Sequence, residues 1–438
     1  MDPRPLKIFN RATALRRGGD RTCFRATLDL VSMRPEDFAK TAADYLRAQG
    51  ETRAIALDGA RDQLVVGSPP EPVSFIYLGH ARKEYAGLPR ADRERVLGRR
   101  MWATVHREGV GTLEQLQRAV VPRMRDRAWF SAVRRQAELE LGADEDAIDD
   151  LMLPHRPLNE ELAVHLAFEL PTSVTEIGPD RLAAWGLDFD SLLERAKDNL
   201  RRRSTLPFEE AAPGVFISPY RDTFDATRLA LPDLFQPLGV RGAPVVVAPT
   251  HDSVFVSGED DPGGLMQIAI YAEEALMEPR ANTGTAFRLE DGAWSPWLPP
   301  RQHLAWSKFK MLRLQTLASA YARQKEVLDA LLQANGHAIT VATLRAFRTS
   351  AGDVFTATAW VEHAEALLPQ TDRLDFVRLG PDGAPDPSQV WSTTFEVARR
   401  TLGAAMQPIG DVPERWRVSG FPTPEELEAM AREGELPT

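Results

Sequence analysis

The residues best suited to chemistry sit in "PVVVAPTHDSVFVSG", Pro244 to Gly258, where His251 and Asp252 lie between two runs of β-branched residues. A hydrolytic site needs a nucleophile, a base and an orienting group within hydrogen-bond reach. His251 could serve as the base only with a distant partner such as Ser253 or Asp225. Adjacent residues on extended chain point to opposite sides, so Asp252 does not naturally orient His251. An aspartate in a tight turn also has its own employment, accepting backbone N–H groups. The stretch therefore reads as a hairpin with His251-Asp252 at its tip.

A second cluster lies in "YRDTFDATRL". Asp225 stands where a short helix would start, and first-turn N–H groups need acceptors. Arg228, one turn on, can pair with Asp225 or Asp222. The plain reading is a cap with a salt bridge; the sharper one makes Arg228 a clamp for a carboxylate or phosphate. Asp222, Asp225, Arg228, His251 and Asp252 are thus the candidate ligand-binding residues. An enzyme built from them would use His251 as base, Asp225 as acid or orienter and Arg228 as anion clamp, all in one cleft.

Other motifs have structural uses. In "EDDPGG", Glu259, Asp260 and Asp261 make phosphate binding unfavourable, and Asp261 as N-cap with Pro262 at the first helical position accounts for the stretch. His155 and His165, near Glu160, Glu161 and Glu169, raise the question of a metal, but the HExxH pattern is absent. His165 alternates with apolar residues and reads as a satisfied core histidine. No metal site and no cofactor is expected. The arginine-rich run 118–135, with Trp129 and Phe130, could touch nucleic acid. Glu138 and Glu140 follow it, and a solvated face or a dock for the acidic Asp144–Asp150 segment fits better. Trp294, Trp297 and Trp306 suit packing at a junction better than an exposed peptide-binding ridge.

The elements that must position these residues suggest an α+β chain of several modules, small antiparallel or mixed sheets each covered by helices. Residues 1–34 form an N-terminal segment. Residues 35–106 read as helix, three-stranded meander, helix, with Phe38, Ala42, Tyr45 and Leu46 on one helix face. That order looks like the secretion-chaperone type of small domain. Residues 107–150 read as a helical connector and acidic linker. Residues 151–300 form a core unit in which "LAVHLAFEL" is a strand and "GPDRLAAWGLDFDSLLERAKDNLRRR" a helical hairpin. Residues 301–407 repeat the first layout: a long helix, "HAITVATLRAF" and "DVFTATAWV" as a hairpin, "RLDFVRL" as a third strand, and a closing helix. Residues 408–438, rich in Pro and Glu, read as a partly mobile tail.

The 438 residues carry a formal net charge of −10 with 43% hydrophobic residues, which disfavours general binding to nucleic acid or anionic membrane. The one cysteine, Cys23, allows no intrachain disulfide and suits a reducing cytoplasm. The N-terminus lacks the apolar segment of a secretory signal, and no apolar run is long enough to span a membrane.

Over roughly residues 36–300 the chain resembles the YtpQ-like proteins, a bacterial family with a domain of unknown function. The resemblance rests on "AVVPRMR", "RPLNEELAVHLAFEL", "LERAKDNL", "YRDTFDATRL" and "PVVVAPTHDSVFVSG". Glu169 stands for the family's acid after the first strand, Asp225-Ala226-Thr227-Arg228 for its Asp-Ala-Ser-Arg-like element, and Pro249-Thr250-His251-Asp252 for its turn. The resemblance implies no reaction. The expected function is a non-enzymatic cytoplasmic binding or adaptor protein that engages a protein or peptide partner. A hydrolase using His251, Asp225 and Arg228, and nucleic-acid binding through the arginine-rich run, are the alternatives. A homo-oligomer is compatible with all three.

Overall fold

The computed structural model describes residues 34–58, 63–66, 74–78, 82, 85, 93–94, 97–98, 113–142, 144–170, 173–277, 281–349 and 353–434. Cys23, the rest of the N-terminal segment before Arg34 and most of the helix expected over 81–105 lie outside them. The fold is α+β, with several small antiparallel and mixed sheets and helices packed on them. The chain divides into two compact units, one running up to Val120 and including Ala167–Thr175, the other made of Val121–Leu166 and the chain from Glu176 onward.

In the first unit the helix Pro35–Ala48 starts with proline at its first turn beside Glu36 and Asp37, where acids suit the helix N-terminus. Its buried face is Phe38, Ala42 and Leu46, with Tyr45 packed alongside, as the spacing predicts. That face meets Leu64, Val66 and Ile76 of the antiparallel meander Ile55–Asp58, Gln63–Val66 and Ser74–Tyr77.

In the second unit the connector is not wholly helical. Val120–Asp126 is a strand, followed by the helices Arg127–Leu141 and Glu145–Leu151. Val120, Val121 and Met124 are buried, which a strand at the end of its sheet achieves while tolerating Pro122. Asp126 then caps the next helix through Trp129 N at 2.6 Å. The expected dock exists: Arg134 bonds Asp149 at 2.6 Å and also Glu145.

The centre of this unit is a six-stranded antiparallel sheet in the order Ala293–Trp297, Ala286–Glu290, Pro244–Thr250, Ser253–Gly258, Val215–Ile217, Glu209–Ala212. Its two central strands, Pro244–Thr250 and Ser253–Gly258, are valine-rich, and both of their faces are covered. Val246, Ala248, Val254 and Val256 face a core with Leu229, Phe235 and Trp294. Val245, Val247 and Phe255 face the helix Pro262–Ala275, which Asp261 caps through Gly264 N with Pro262 at its start, as expected. The helical hairpin Pro179–Trp185 and Phe189–Arg203 is also as expected, with Gly186 left-handed between them and Asp188 capping the second helix.

The long helix Trp306–Ala334 begins in that same central layer, because Ala305, Phe309 and Leu312 belong to the core of Val245 and Leu265. Beyond it the expected meander is replaced by two four-stranded sheets. Arg345–Arg348 pairs antiparallel with Val354–Val361, so the hairpin is shorter than predicted. Arg373–Leu379 then joins Val354–Val361 in parallel, and Pro385–Thr394 adds an antiparallel edge. The connection passes through Ala366–Pro369, which forms the other sheet with Thr340–Val341, Arg415–Val418 and Met406–Pro408.

The segment read as a mobile tail is built into this unit through residue 434. Arg415–Val418 is a strand, and Pro424–Glu433 is a helix with a Thr423–Glu426 capping box and buried Leu427 and Met430. Charge and proline content concealed two apolar anchors one turn apart.

Candidate functional site

The hairpin tip forms as predicted, with Thr250 opposite Ser253. The turn is held by hydroxyls rather than by the Asp252 carboxylate. Thr250 Oγ1 lies 2.7 Å from Ser253 Oγ and accepts the Asp252 N–H at 3.2 Å. Asp252 is exposed and His251 half-buried. The His251 carbonyl accepts the Ala226 N–H at 3.2 Å, so the structure does bring the hairpin beside the Asp225 cluster.

That cluster is closed on itself. Arg228 is fully buried, with Nη1 and Nη2 each 2.8 Å from the two oxygens of Asp222 and Nε 2.9 Å from Ser204 Oγ. Its guanidinium lies 3.5 Å from the Tyr220 ring centroid, a cation–π contact. Asp225 does not cap the short 3-10 helix Ala226–Ala230 that follows it. It turns back instead, accepting from Ser218 Oγ and from the N–H groups of Arg221 at 3.2 Å and Asp222 at 3.1 Å. Those bonds hold a turn in which Arg221 (φ 49°) and Thr223 (φ 68°) take left-handed conformations that non-glycine residues rarely adopt.

Burial pushes the Asp225 carboxyl above its usual range despite these donors. Burial also opposes ionisation of Asp222, but the hydrogen bonds and charge of Arg228 outweigh it and hold that carboxyl below its usual value. The guanidinium and the Asp225 carboxylate therefore act within the fold, with their polar atoms engaged by protein groups.

His165 is in the core, 1% exposed, as its alternation with apolar residues suggests. It is not satisfied, because among the described residues neither ring nitrogen has a hydrogen-bond partner. It faces His155 across the strand pair and meets the Phe130 ring edge-on, while His155 stacks on Phe130 at 4.0 Å. Burial, with the charges of Arg125 and Arg123, pulls its pKa down to about 3, so it stays neutral. No group of three or more His, Cys, Asp or Glu side chains among the described residues could hold a metal. Trp294 is core, donating Nε1–H to Leu229 O at 2.8 Å.

A concavity of about 840 Å³ lies elsewhere among the described residues, along the middle of the long helix. The helix contributes Lys310, Arg313, Ser319 and Arg323. Facing them are Asp126, Glu160, Glu161 and Asp372, with Asp411 and Glu414 at one end. The cations are paired: Lys310 with Asp372 at 3.2 Å, Arg313 with Glu161 at 3.2 Å and Arg323 with Asp126 at 3.6 Å. Asp372 is held by Thr356, whose N–H and Oγ1 lie 2.7 and 2.8 Å away.

The cleft floor is hydrogen-bonded throughout Tyr321 and Arg415. Tyr321 donates to Glu414 O at 2.8 Å and accepts from Gln370 N at 3.0 Å, and burial pushes its pKa up to about 12. Beneath it Arg415, fully buried, donates to Gln324 Oε1 and to the carbonyls of Ala342, Leu367 and Tyr321. Burial lowers its pKa to about 10, which leaves it a cation at neutral pH. None of the cleft residues carries a local motif. Their only signal in the sequence is that Lys310, Arg313 and Arg323 interrupt the apolar face of the long helix.

Compared with protein-family models, with curated proteins and with solved structures, the chain has no match in any of the three. Among the described residues, no helix is long and apolar enough to cross a membrane.

Proposed function

We propose that this chain is a non-enzymatic binding or adaptor protein of the cytoplasm, and that the cleft along Trp306–Ala334 receives a segment of a protein or peptide partner. The observation that carries the reading is the cleft: its volume falls within the range of ligand sites, and its lining mixes paired charges with apolar Leu276, Leu298 and Leu314. Among the described residues the lining holds no histidine or cysteine. The residues that would make a hydrolase, Asp225 and Arg228, are both buried and occupied by protein partners. The similarity of roughly residues 36–300 to the YtpQ-like proteins belongs to this reading and implies no reaction.

The test uses Ser319→Trp, an exposed position in the lining where a large ring fills the cleft without entering the core. The full chain should capture a partner that cross-links to the cleft, and the folded variant should lose at least nine-tenths of that capture. Equal capture by the variant would overturn the reading. So would a catalysed reaction that His251→Ala abolishes in the folded protein.

A further inference from the structure

We infer that the segment received by the cleft is basic, with a lysine or arginine side chain as its anchor. This deepens the reading of the cleft as a binding site and rests on it. Among the described lining residues six carboxylates stand with three cations, and all three cations are already committed to Asp372, Glu161 and Asp126. Asp411 pairs with Arg135 from outside the lining, which leaves Glu160 and Glu414 without an ion pair among the described residues. Glu160 is exposed, and its side chain has no hydrogen bond or ion pair among the described residues; only its carbonyl is used, by Arg127 Nη1 at 3.2 Å. Glu414 spends one oxygen on the N–H groups of Ile409 and Gly410, each at 3.0 Å, which leaves the other as an acceptor.

A second observation is independent of the acids. Thr285, also in the lining, is fully buried, and among the described residues its Oγ1 has no hydrogen-bond partner. A buried hydroxyl left unpaired is costly and is expected to find a donor or acceptor when the cleft is filled. The apolar wall of Leu276, Leu298 and Leu314 suits the aliphatic stem of a lysine or arginine, whose charged head would then reach the acids. An acidic segment would meet the unpaired carboxylate of Glu160, while the cations among the described lining residues are already paired.

Isothermal titration of the full chain tests this, with three blocked hexapeptides that differ only in carrying three lysines, three arginines or three glutamates, and with spermidine as a free polyamine. The lysine or arginine peptide should bind, more weakly as salt rises, and the glutamate peptide should not. Glu160→Gln should weaken the basic peptide about threefold to tenfold, the effect of one partly screened charge, while Glu428→Gln, on an exposed face of the last helix, should leave it unchanged. Ser319→Trp should abolish it.

Preference for the glutamate peptide, or binding indifferent to Glu160→Gln, overturns the basic assignment, as does binding of spermidine with no binding of the peptides. If those results come with partner capture that Ser319→Trp still abolishes, the cleft remains a binding site and only its chemistry is wrong. If capture is also indifferent to Ser319→Trp, both readings fall.

Discussion

Arg228 and Asp222 face each other as a two-pronged ion pair, both N–O distances 2.8 Å, with the guanidinium fully buried and the carboxylate one-third exposed. Removing one partner leaves a buried charge, whereas removing both does not. Asp222→Ala should cost about 2–3 kcal/mol, below the ~3–5 kcal/mol typical of a fully buried pair because Asp222 is partly solvated. Asp222→Ala with Arg228→Met should recover part of that loss. Urea denaturation of the three proteins measures it, and a double variant less stable than the single would contradict the account.

The hairpin tip should tolerate loss of its reactive-looking residues. His251→Ala and Asp252→Ala are expected to keep partner capture near normal and to change stability by less than about 1 kcal/mol. Thr250→Val should cost about 1 kcal/mol or more, because Ser253 Oγ and the Asp252 N–H lose their shared partner. Thermal melting ranks the three; Thr250→Val emerging as the mildest would show that the hydroxyls do not hold the turn.

His165 makes acid sensitivity a local property. The unfolded chain takes up this proton near pH 6.5, and the folded chain only near 3. Stability from this group is therefore complete above pH 6.5 and falls as pH drops toward 3, by up to about 1.4 kcal/mol per pH unit. Burial keeps the ring neutral, and the charges of Arg125 and Arg123 add to it. His165→Leu should flatten the stability profile across that window. An unchanged acid slope would place the sensitivity in other groups.

Gly284 sets how closely the central sheet meets the long helix. Its N–H donates to Thr316 Oγ1 at 2.7 Å, and an added Cβ would lie 2.6 Å from the Leu312 carbonyl oxygen. Gly284→Ala should destabilise by about 1–3 kcal/mol through overpacking. It should also weaken ligand capture, since Thr283, Thr285 and Thr316 line the cleft. Melting temperature and titration read the two effects, and a neutral result in both would show that the helix can shift freely.

The arginine-rich run should bind phosphate surfaces poorly. Arg118, Arg125, Arg134 and Arg135 are each paired with carboxylates. Elution of the full chain from a phosphate matrix is expected early and with little dependence on salt. A steep decline of retention with salt would instead point to several phosphate contacts and favour nucleic-acid binding.

Much of the local structure was legible in the residues. Asp188, Asp261 and the left-handed Gly186 act over a single turn, so their roles need no knowledge of distant chain. The alternation of His165 with apolar neighbours placed it inside, but could not say whether its nitrogens would find partners. Asp225 was read as a cap because helix starts need acceptors; in the fold Ser218 and the N–H groups of Arg221 and Asp222 reach it from the other side. Pro122 and the run of arginines hid a strand, since an edge strand needs only some of its N–H groups.

By itself the chain determined several helix starts and stops, among them those set by Asp188, Gly186 and Asp261, which helix faces are apolar, and that His251-Asp252 sits at a turn. Those properties depend on residues within a few positions of one another. The tertiary structure alone decided that Arg373–Leu379 lies parallel to Val354–Val361, that the chain after Met406 closes a sheet, and that Glu160, Lys310 and Asp372 border one cleft. Such meetings join residues tens to hundreds of positions apart, chosen by which apolar surfaces can be buried together, and short-range spacing carries no record of that choice.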